Sequence, residues 1–252
     1  MADASVDKKT KEVKAYFNTV IGGYLLNDIQ TLLNSDLDER EQGGCAAPLA
    51  MAIFSGMNQL GYLTSAKGTK EILEDGATAT ETCIKEFCHD WMAKVETIYN
   101  KSSVQEMMVS LFRHGMAHSF LSVYRTGITR HPKHKKLINV IEFGNGEKLY
   151  VLQAKVLGRD FVEAARLLER KIDKAQETDH DFIERFYDRL HLQIEKYFSK
   201  NVLVFDKAER HPEIAVTYSA SSSTTTTISG TKSAAEDSDT SITVDKSFDT
   251  SG

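Results

Sequence analysis

The sequence has few of the residues that interrupt helices or cross-link a chain. Its 252 residues include only three prolines and fifteen glycines, which favours long uninterrupted helices over a strand-rich sandwich. The three cysteines are an odd number and include no C-x-x-C pair, so the sequence predicts neither a disulfide framework nor a cysteine-based metal site. We therefore expect a helical protein with reduced thiols, no bound metal and no other cofactor.

Long apolar runs are also absent. No window approaches the roughly 18 apolar residues of a membrane span, and the opening MADASVDKKTKEVKAYF has no apolar run of the signal-peptide kind. The hydrophobic fraction of 41% and the charged fraction of 27% are typical of a globular chain with a substantial core. We expect a cytoplasmic protein that does not contact the membrane, in a compartment where thiols stay reduced.

The composition changes abruptly after Tyr218. Residues 219–252 are rich in serine and threonine, and their two lysines stand against one glutamate and four aspartates, a net charge of −3. The whole chain carries −5, so the remainder is close to neutral at −2. Because the segment has almost no large apolar residues to offset the entropy of ordering, we predict an acidic disordered tail over 219–252. Residues 201–218, with NVLVF and EIAVTY as short strands, are predicted to be extended.

Apolar residues recur at helical spacing through most of the preceding chain. The pattern predicts a first helix from about Ser5 to Asn34. The nearly apolar APLAMAIFSGMNQLGYL predicts a second, buried helix, and TATETCIKEFCHDWMAKVETIYN predicts a third. A fourth helix, capped by Ser102 or Ser103 with Gln105 or Glu106 as the capping-box partner, leads into the segment SLFRHGMAHSF.

The periodicity changes near residue 138. LINVIEF and EKLYVLQAKVL are rich in β-branched and aromatic residues and flank Asn145-Gly146, a pair typical of tight turns. They predict an antiparallel β-hairpin over about 138–153.

A last helical stretch is predicted after Gly158-Arg159, with Asp160 as its cap and an interruption at Thr178-Asp179. The predicted fold class is therefore all-α. It is an antiparallel helical bundle over residues 1–200, with one small antiparallel β-hairpin inserted before the last long helix.

The segment SLFRHGMAHSF, residues 110–120, places an arginine and two histidines in an otherwise apolar helical pattern. In an unbroken helix His114 and His118 share a face, as a pair of metal ligands would, but no third ligand or H-E-x-x-H glutamate accompanies them. A helix start or kink at Gly115 would instead bring Arg113 and His118 together. A guanidinium binds phosphate oxygens and an imidazole transfers protons near neutral pH, so this second arrangement favours phosphodiester chemistry.

The R-x(4)-H spacing of Arg113 and His118, with the polar His114 after the arginine, resembles the R-x(4-6)-H signature of the HEPN superfamily. An amphipathic helix leads into the motif and a long helix follows it, so the resemblance covers about residues 5–200. It implies an all-α bundle and, as in many members, a metal-independent endoribonuclease that leaves 2′,3′-cyclic phosphate ends. The hairpin is an addition to the minimal bundle.

The resemblance also implies a role for each motif residue. Arg113 would stabilise negative charge on the scissile phosphate, and His118 would act as general base or acid. His114 would be an auxiliary polar residue that positions the phosphate or the other two side chains. Because HEPN sites usually combine two copies of the motif and this chain has one, activity implies a homodimer.

The run RTGITRHPKHKK, residues 125–136, contains no acidic residue. Its basic residues are the predicted RNA-binding set: Arg125, Arg130, Lys133, Lys135 and Lys136. Such a run attracts the phosphates of RNA and makes binding salt-dependent, although a solvated loop can have the same composition. No aromatic residue lies among these charges, which counts against sequence-specific reading by base stacking.

Three functions remain open at this point. The first is a HEPN-like RNA-binding endoribonuclease that acts as a homodimer. The second is a catalytically silent HEPN-like module that binds RNA or another protein, and the third is an interaction bundle unrelated to HEPN. The sequence identifies neither the RNA substrate nor a regulatory protein partner.

Overall fold

The computed structural model describes residues 4–35, 44–67, 77–113, 125–210, 218–220 and 226–228. These residues are mostly helical and include a small three-stranded mixed sheet. The chain divides into two units, Met1–His191 and Leu192–Gly252. Among the described helices, none combines the length and the apolar character that crossing a membrane requires.

The first long helix has the predicted extent but not a uniform pitch. It consists of α1 (Ala4–Tyr16), a π-helical segment π1 (Phe17–Leu26) and α2 (Asn27–Asn34). Its fully or nearly fully buried positions include Val13, Phe17, Ile21, Leu26, Ile29 and Leu33. The interval between buried residues widens to five within π1, as the wider turn of a π-helix requires if one face is to stay in the core.

The second helix, α3 (Ala46–Thr64), is buried on almost every side and packs against α4 (Ala77–Phe87). At Gly61 the two helices touch backbone to backbone, because an added Cβ would lie 2.0 Å from the carbonyl oxygen of Cys83. The apolar composition of α3 therefore reflects its interior position.

The third predicted helix begins as α4 and continues through π2 (Cys88–Met92) into the short α5 (Ala93–Val95).

Short elements lead to the motif: a 3₁₀ helix (Thr97–Asn100), α6 (Ser102–Glu106) and π3 (Met107–Arg113). The predicted capping box is wrong, since α6 follows Lys101 and has no side-chain cap. Gln105 instead donates to the backbone oxygen of Tyr99 at 2.8 Å. Glu106 accepts from Ser110 Oγ at 2.5 Å, so both proposed partners are engaged elsewhere.

The sheet contains β1 (Thr126–Thr129), β2 (Ile138–Glu142) and β3 (Lys148–Gln153), in the order β1-β3-β2. The predicted hairpin is confirmed by the antiparallel pairing of β2 with β3, and Gly146 turns the chain at a φ of 80°. The sheet as a whole is mixed, because β1 pairs with β3 in parallel. The strand β1 was not predicted, since its residues lie within the basic run 125–136.

Two long helices complete the first unit, α7 (Ala154–Thr178) and α8 (His180–Arg210), the second of which continues into the other unit. The predicted cap at Asp160 is wrong. Gln153 caps α7 by accepting a hydrogen bond from the backbone N–H of Lys155 at 2.9 Å, while Asp160 lies inside the helix. The predicted interruption is confirmed at Asp179, whose carboxylate accepts from the backbone N–H of Phe182 at 3.2 Å.

The second unit differs from the prediction in two places. Residues 201–210, predicted to be extended with NVLVF as a strand, continue α8, because extending an existing helix adds one hydrogen bond per residue without a new nucleus. Two short strands, β4 (Tyr218–Ala220) and β5 (Thr226–Ile228), pair antiparallel at the start of the predicted disordered tail. The rest of that tail lies outside the described residues.

A buried arginine holds the end of α3 in the core. Arg189 of α8 is 2% exposed and donates to the backbone oxygens of Tyr62 and Ser65, both at 2.7 Å, and to that of Lys67. The last carbonyls of a helix have no intrahelical donor, so the guanidinium satisfies groups that would otherwise be buried without partners. Burial lowers the pKa of Arg189.

Candidate nucleic-acid interface

Residues 131–136, HPKHKK, form the loop between β1 and β2, and we refer to them as the basic loop. The side chains of Lys133, Lys135 and Lys136 are exposed, and the loop contains no acidic residue. Three ammonium groups are thus displayed on one short connection, which is the arrangement that attracts a polyanion.

The side chain of Gln153 fixes the backbone of this loop through hydrogen bonds. It is 3% exposed, and its Nε2 donates to the backbone oxygens of His131 at 2.9 Å and of His134 at 3.0 Å. The same amide caps α7 through its oxygen, so one buried side chain joins the loop to the start of a long helix. Gln153 was not predicted from the sequence, since a glutamine at the end of a strand has no local signal for this role.

Hydrogen bonds within the loop restrict it further. The N–H of His131 donates to Thr129 Oγ1 at 3.0 Å, and the N–H of His134 donates to the carbonyl of His131 at 3.1 Å. The N–H of Lys133 donates to His131 Nδ1 at 3.2 Å. The loop is therefore a tight turn with a defined backbone rather than an open connection.

Arg130 has a different role from the one predicted for it. It is 2% exposed, and its guanidinium donates to Ser35 Oγ at 2.8 Å, to the carbonyl of Gly44 at 2.9 Å and to that of Ser35 at 3.1 Å. A guanidinium that is buried and bonded in this way does not reach a phosphate on the surface. We therefore correct the predicted RNA-binding set by removing Arg130, which anchors the base of the loop.

Arg125 lies at the start of β1, exposed and with a φ of 64°. Its guanidinium forms an ion pair with Glu147 at 2.5 Å, across the end of the sheet. Its carbonyl accepts a hydrogen bond from the N–H of Tyr150 at 2.9 Å. The neighbouring carboxylate offsets the charge of Arg125, so the positive potential comes mainly from the three lysines.

The histidines of the loop are partly buried. Burial holds the pKa of His134 below its usual range, and the charges of Lys133 and His131 lower it further. At neutral pH the imidazole of His134 is therefore largely uncharged. A bound phosphate would counter the positive neighbours and favour its protonation.

Arg113 is the last residue of π3 and has an intermediate exposure. The preceding Phe112 is fully buried in the core, and π3 contacts β1. The helical segment π3 and the strand that leads into the basic loop are therefore neighbours. His114, Gly115 and His118 lie outside the described residues, so the predicted meeting of Arg113 with His118 stays a prediction.

In the parts of the chain that the structure describes, no group of three or more histidine, cysteine, aspartate or glutamate side chains could hold a metal ion. Cys88 and His89 occupy different environments. Cys88 is fully buried, which raises the pKa of its thiol to about 12, whereas His89 is exposed beside Asp90 at 2.8 Å. Cys88 and His89 therefore do not act together as metal ligands.

Comparison of the chain with protein-family models, with curated proteins and with solved structures finds no match. The resemblance to the HEPN superfamily thus rests on the motif at Arg113 and on its placement among the helices.

Proposed function

We propose that the protein is a HEPN-like RNA-binding protein and a metal-independent endoribonuclease that acts as a homodimer. In this proposal the helices form the antiparallel bundle of that superfamily. Lys133, Lys135 and Lys136 bind the RNA backbone, and the motif at Arg113 and His118 cleaves it. His114 positions the phosphate.

The observation that supports RNA binding best is the rigid support of the basic loop. Gln153 holds its backbone through hydrogen bonds to the carbonyl oxygens of His131 and His134. Arg130, directly before the loop, is fixed by its own bonds to the carbonyls of Ser35 and Gly44. A loop that is ordered before binding loses less conformational entropy when a phosphate chain docks on it. Lysines bind phosphates as point charges without reading bases, and this favours an interface that tolerates many RNA sequences.

The proposed cleavage step needs no cofactor to balance. The 2′-oxygen of the ribose forms a bond to the adjacent phosphorus while the bond from phosphorus to the 5′-oxygen breaks. His118 of one subunit takes the 2′-hydroxyl proton, and His118 of the other gives a proton to the leaving 5′-oxygen. Arg113 stabilises the charge that develops on the phosphate oxygens. The products are a 2′,3′-cyclic phosphate and a 5′-hydroxyl.

The alternative is a catalytically silent HEPN-like module that binds RNA or protein through the same surface. The described residues favour this alternative in one respect, since the exposed lysines of the basic loop can bind a phosphate chain without any catalytic group. Both functions share the binding surface and differ only in cleavage.

Binding is tested first, with labelled single-stranded RNA at several salt concentrations. Replacing Lys133 and Lys135 by alanine should weaken binding and reduce the slope of log K against log salt by roughly 1 to 2, since two phosphate contacts are lost. The matched control replaces Lys11 and Lys174, two exposed lysines on α1 and α7. Equal losses in both double variants would mean that the loop is not the interface.

Cleavage is tested in the presence of a chelator with the wild type, His118→Ala and Arg113→Ala. Cleavage by the wild type alone, with 2′,3′-cyclic phosphate ends, supports the ribonuclease. Loop-dependent binding without cleavage by any of the three supports the silent module. If the wild type neither binds nor cleaves RNA, the ribonuclease and the RNA-binding form of the silent module are both refuted.

A further inference from the structure

The outer edge of β2 has no partner strand among the described residues. In the sheet order β1-β3-β2, β2 pairs with β3 on one side, and no described strand pairs with its other side. An edge strand presents a row of N–H and C=O groups that another strand can use. The other edge, β1, is shorter and lies beside π3.

The hydrogen bonds of the hairpin identify which groups of β2 face outward. The N–H of Gln153 donates to the carbonyl of Leu137, and the N–H of Phe143 donates to the carbonyl of Glu147, both at 2.8 Å. Odd-numbered residues of this strand therefore direct their backbone groups toward β3. By the alternation of an antiparallel ladder, Ile138, Val140 and Glu142 direct theirs to the open edge.

This edge also has the composition of a pairing strand. The strand and its flanks read LINVIEF, with Val140 54% exposed and Phe143 50% exposed. Positions 138–141 contain no proline, lysine or other charged residue of the kind that usually protects an edge. Apolar surface and unpaired backbone thus coincide on one strand.

We propose that β2 pairs with β2 of a second copy of this chain, antiparallel and centred on Asn139. Ile138 of each copy then lies opposite Val140 of the other, and the two sheets join into one of six strands. The outward N–H and C=O groups of Ile138 and Val140 form the new ladder. This pairing covers the exposed side chain of Val140.

Charge complementarity indicates that the strand that pairs with β2 is β2 of a second copy of the chain. In this register Lys136 of each copy lies beside Glu142 of the other, so two opposite-charge pairs bracket the apolar centre. Both side chains are exposed, and the structure gives neither an ion-pair partner among the described residues. The strand is therefore complementary to itself in charge as well as in apolar character.

The neighbouring registers fit worse. Backbone hydrogen bonding allows shifts that keep outward-facing residues opposite each other. Centring the pair on Val140 places Ile138 opposite the charged Glu142, and centring it on Ile138 places Val140 opposite Lys136. The register centred on Asn139 pairs apolar with apolar and acid with base.

The pairing commits Lys136 to Glu142 of the second copy, which leaves Lys133 and Lys135 of the basic loop for RNA. It goes beyond the proposed function and depends on neither RNA nor Arg113. Its test is therefore separate from binding and cleavage. Analytical ultracentrifugation at low salt should show the wild type as a dimer. Because the proposed ribonuclease is also a homodimer, this result alone does not separate the two proposals, and the variants at positions 136 and 142 do. Lys136→Glu or Glu142→Lys alone should raise the dimer dissociation constant by about tenfold, because two attractive pairs become repulsive.

The double variant Lys136→Glu with Glu142→Lys should restore dimerisation, since the pairs are re-formed with the charges exchanged. Lys135→Glu is the matched control, a neighbouring exposed lysine that does not lie opposite Glu142, and it should change the constant less. Circular dichroism establishes that each variant is folded. A double variant that stays as weak as the single ones would overturn the proposed register.

A disulfide provides a second, independent measurement. Opposed residues of a non-hydrogen-bonded antiparallel pair have Cα atoms about 4.5 Å apart, within reach of a disulfide. Asn139→Cys should therefore cross-link two chains under mild oxidation, while Ile141→Cys and the wild type with its native thiols should not. A monomeric wild type, or a dimer in which Asn139→Cys forms no cross-link, contradicts the pairing.

Discussion

The guanidinium of Arg130 donates hydrogen bonds to both the hydroxyl and the carbonyl oxygen of Ser35, at 2.8 and 3.1 Å. Ser35 follows the end of α2, and the same guanidinium also reaches the carbonyl of Gly44. One buried side chain thus joins the residue after β1 to both ends of the segment 36–43, which lies outside the described residues. These bonds fix the position of Arg130, directly before the basic loop.

Arg130→Ala should destabilise the fold by roughly 2–4 kcal/mol, because buried carbonyl groups lose their donors. Arg125→Ala serves as the control, since Arg125 forms an exposed ion pair with Glu147 and its loss should cost about 0–1 kcal/mol. Urea unfolding followed by circular dichroism measures both. Similar losses would contradict the structural role assigned to Arg130.

Gly61→Ala should destabilise the protein by about 1–3 kcal/mol, since the new Cβ would meet the carbonyl of Cys83 and force α3 and α4 apart. Gly22→Ala is the matched substitution in a helical position with room, where the nearest atom is 3.6 Å from the added Cβ. It should stabilise by roughly 0.5–1 kcal/mol. Thermal unfolding of the two variants should therefore shift in opposite directions.

Gln153→Ala should weaken RNA binding although it removes no charge, because the basic loop loses the donor to His131 and His134. Amide hydrogen exchange in residues 131–136 should become faster. Gln105→Ala removes a comparable bond, to the carbonyl of Tyr99, and should cost stability without changing RNA affinity. If RNA affinity is unchanged in Gln153→Ala, preorganisation of the loop does not contribute to binding.

The buried thiols should make the fold sensitive to alkaline pH. Burial raises the pKa of Cys83 to about 11 and that of Cys88 to about 12, above the ordinary 9.0 expected when the chain unfolds. Between these values the folded state holds protons that the unfolded state releases. The stability that these two thiols contribute below pH 9 is therefore lost progressively as the pH rises from 9 through about 12.

Urea unfolding between pH 8 and 10.5 measures this loss, and Cys88→Ala should flatten the pH dependence relative to the wild type. The same burial predicts selective labelling, since Cys45 is partly exposed while Cys83 and Cys88 are buried. A thiol reagent at pH 8 should modify one cysteine of the native protein. Rapid modification of all three would contradict the burial.

Much of the secondary structure was predictable because its signals are local. Repeats of three and four residues located the long helices, and an Asn-Gly pair between β-branched runs located the β2–β3 hairpin. The wrong predictions concern residues whose role depends on a contact with a residue far away in the sequence. Asp160 has the chemistry of a helix cap, yet it lies within α7 and accepts a hydrogen bond of 2.7 Å from Tyr99, sixty-one residues earlier.

The sequence by itself determined the helical periodicity, the hairpin, and a run of basic residues with no acidic residue among them. It did not determine which of those charges reach solvent. Arg130 and Lys133 are equally basic in the sequence, but only the tertiary structure places carbonyls of Ser35 and Gly44 around the first and leaves the second exposed. A buried guanidinium needs hydrogen-bond acceptors. Here one acceptor residue, Ser35, lies ninety-five residues before Arg130 in the chain, and the local sequence around Arg130 does not indicate such a remote contact.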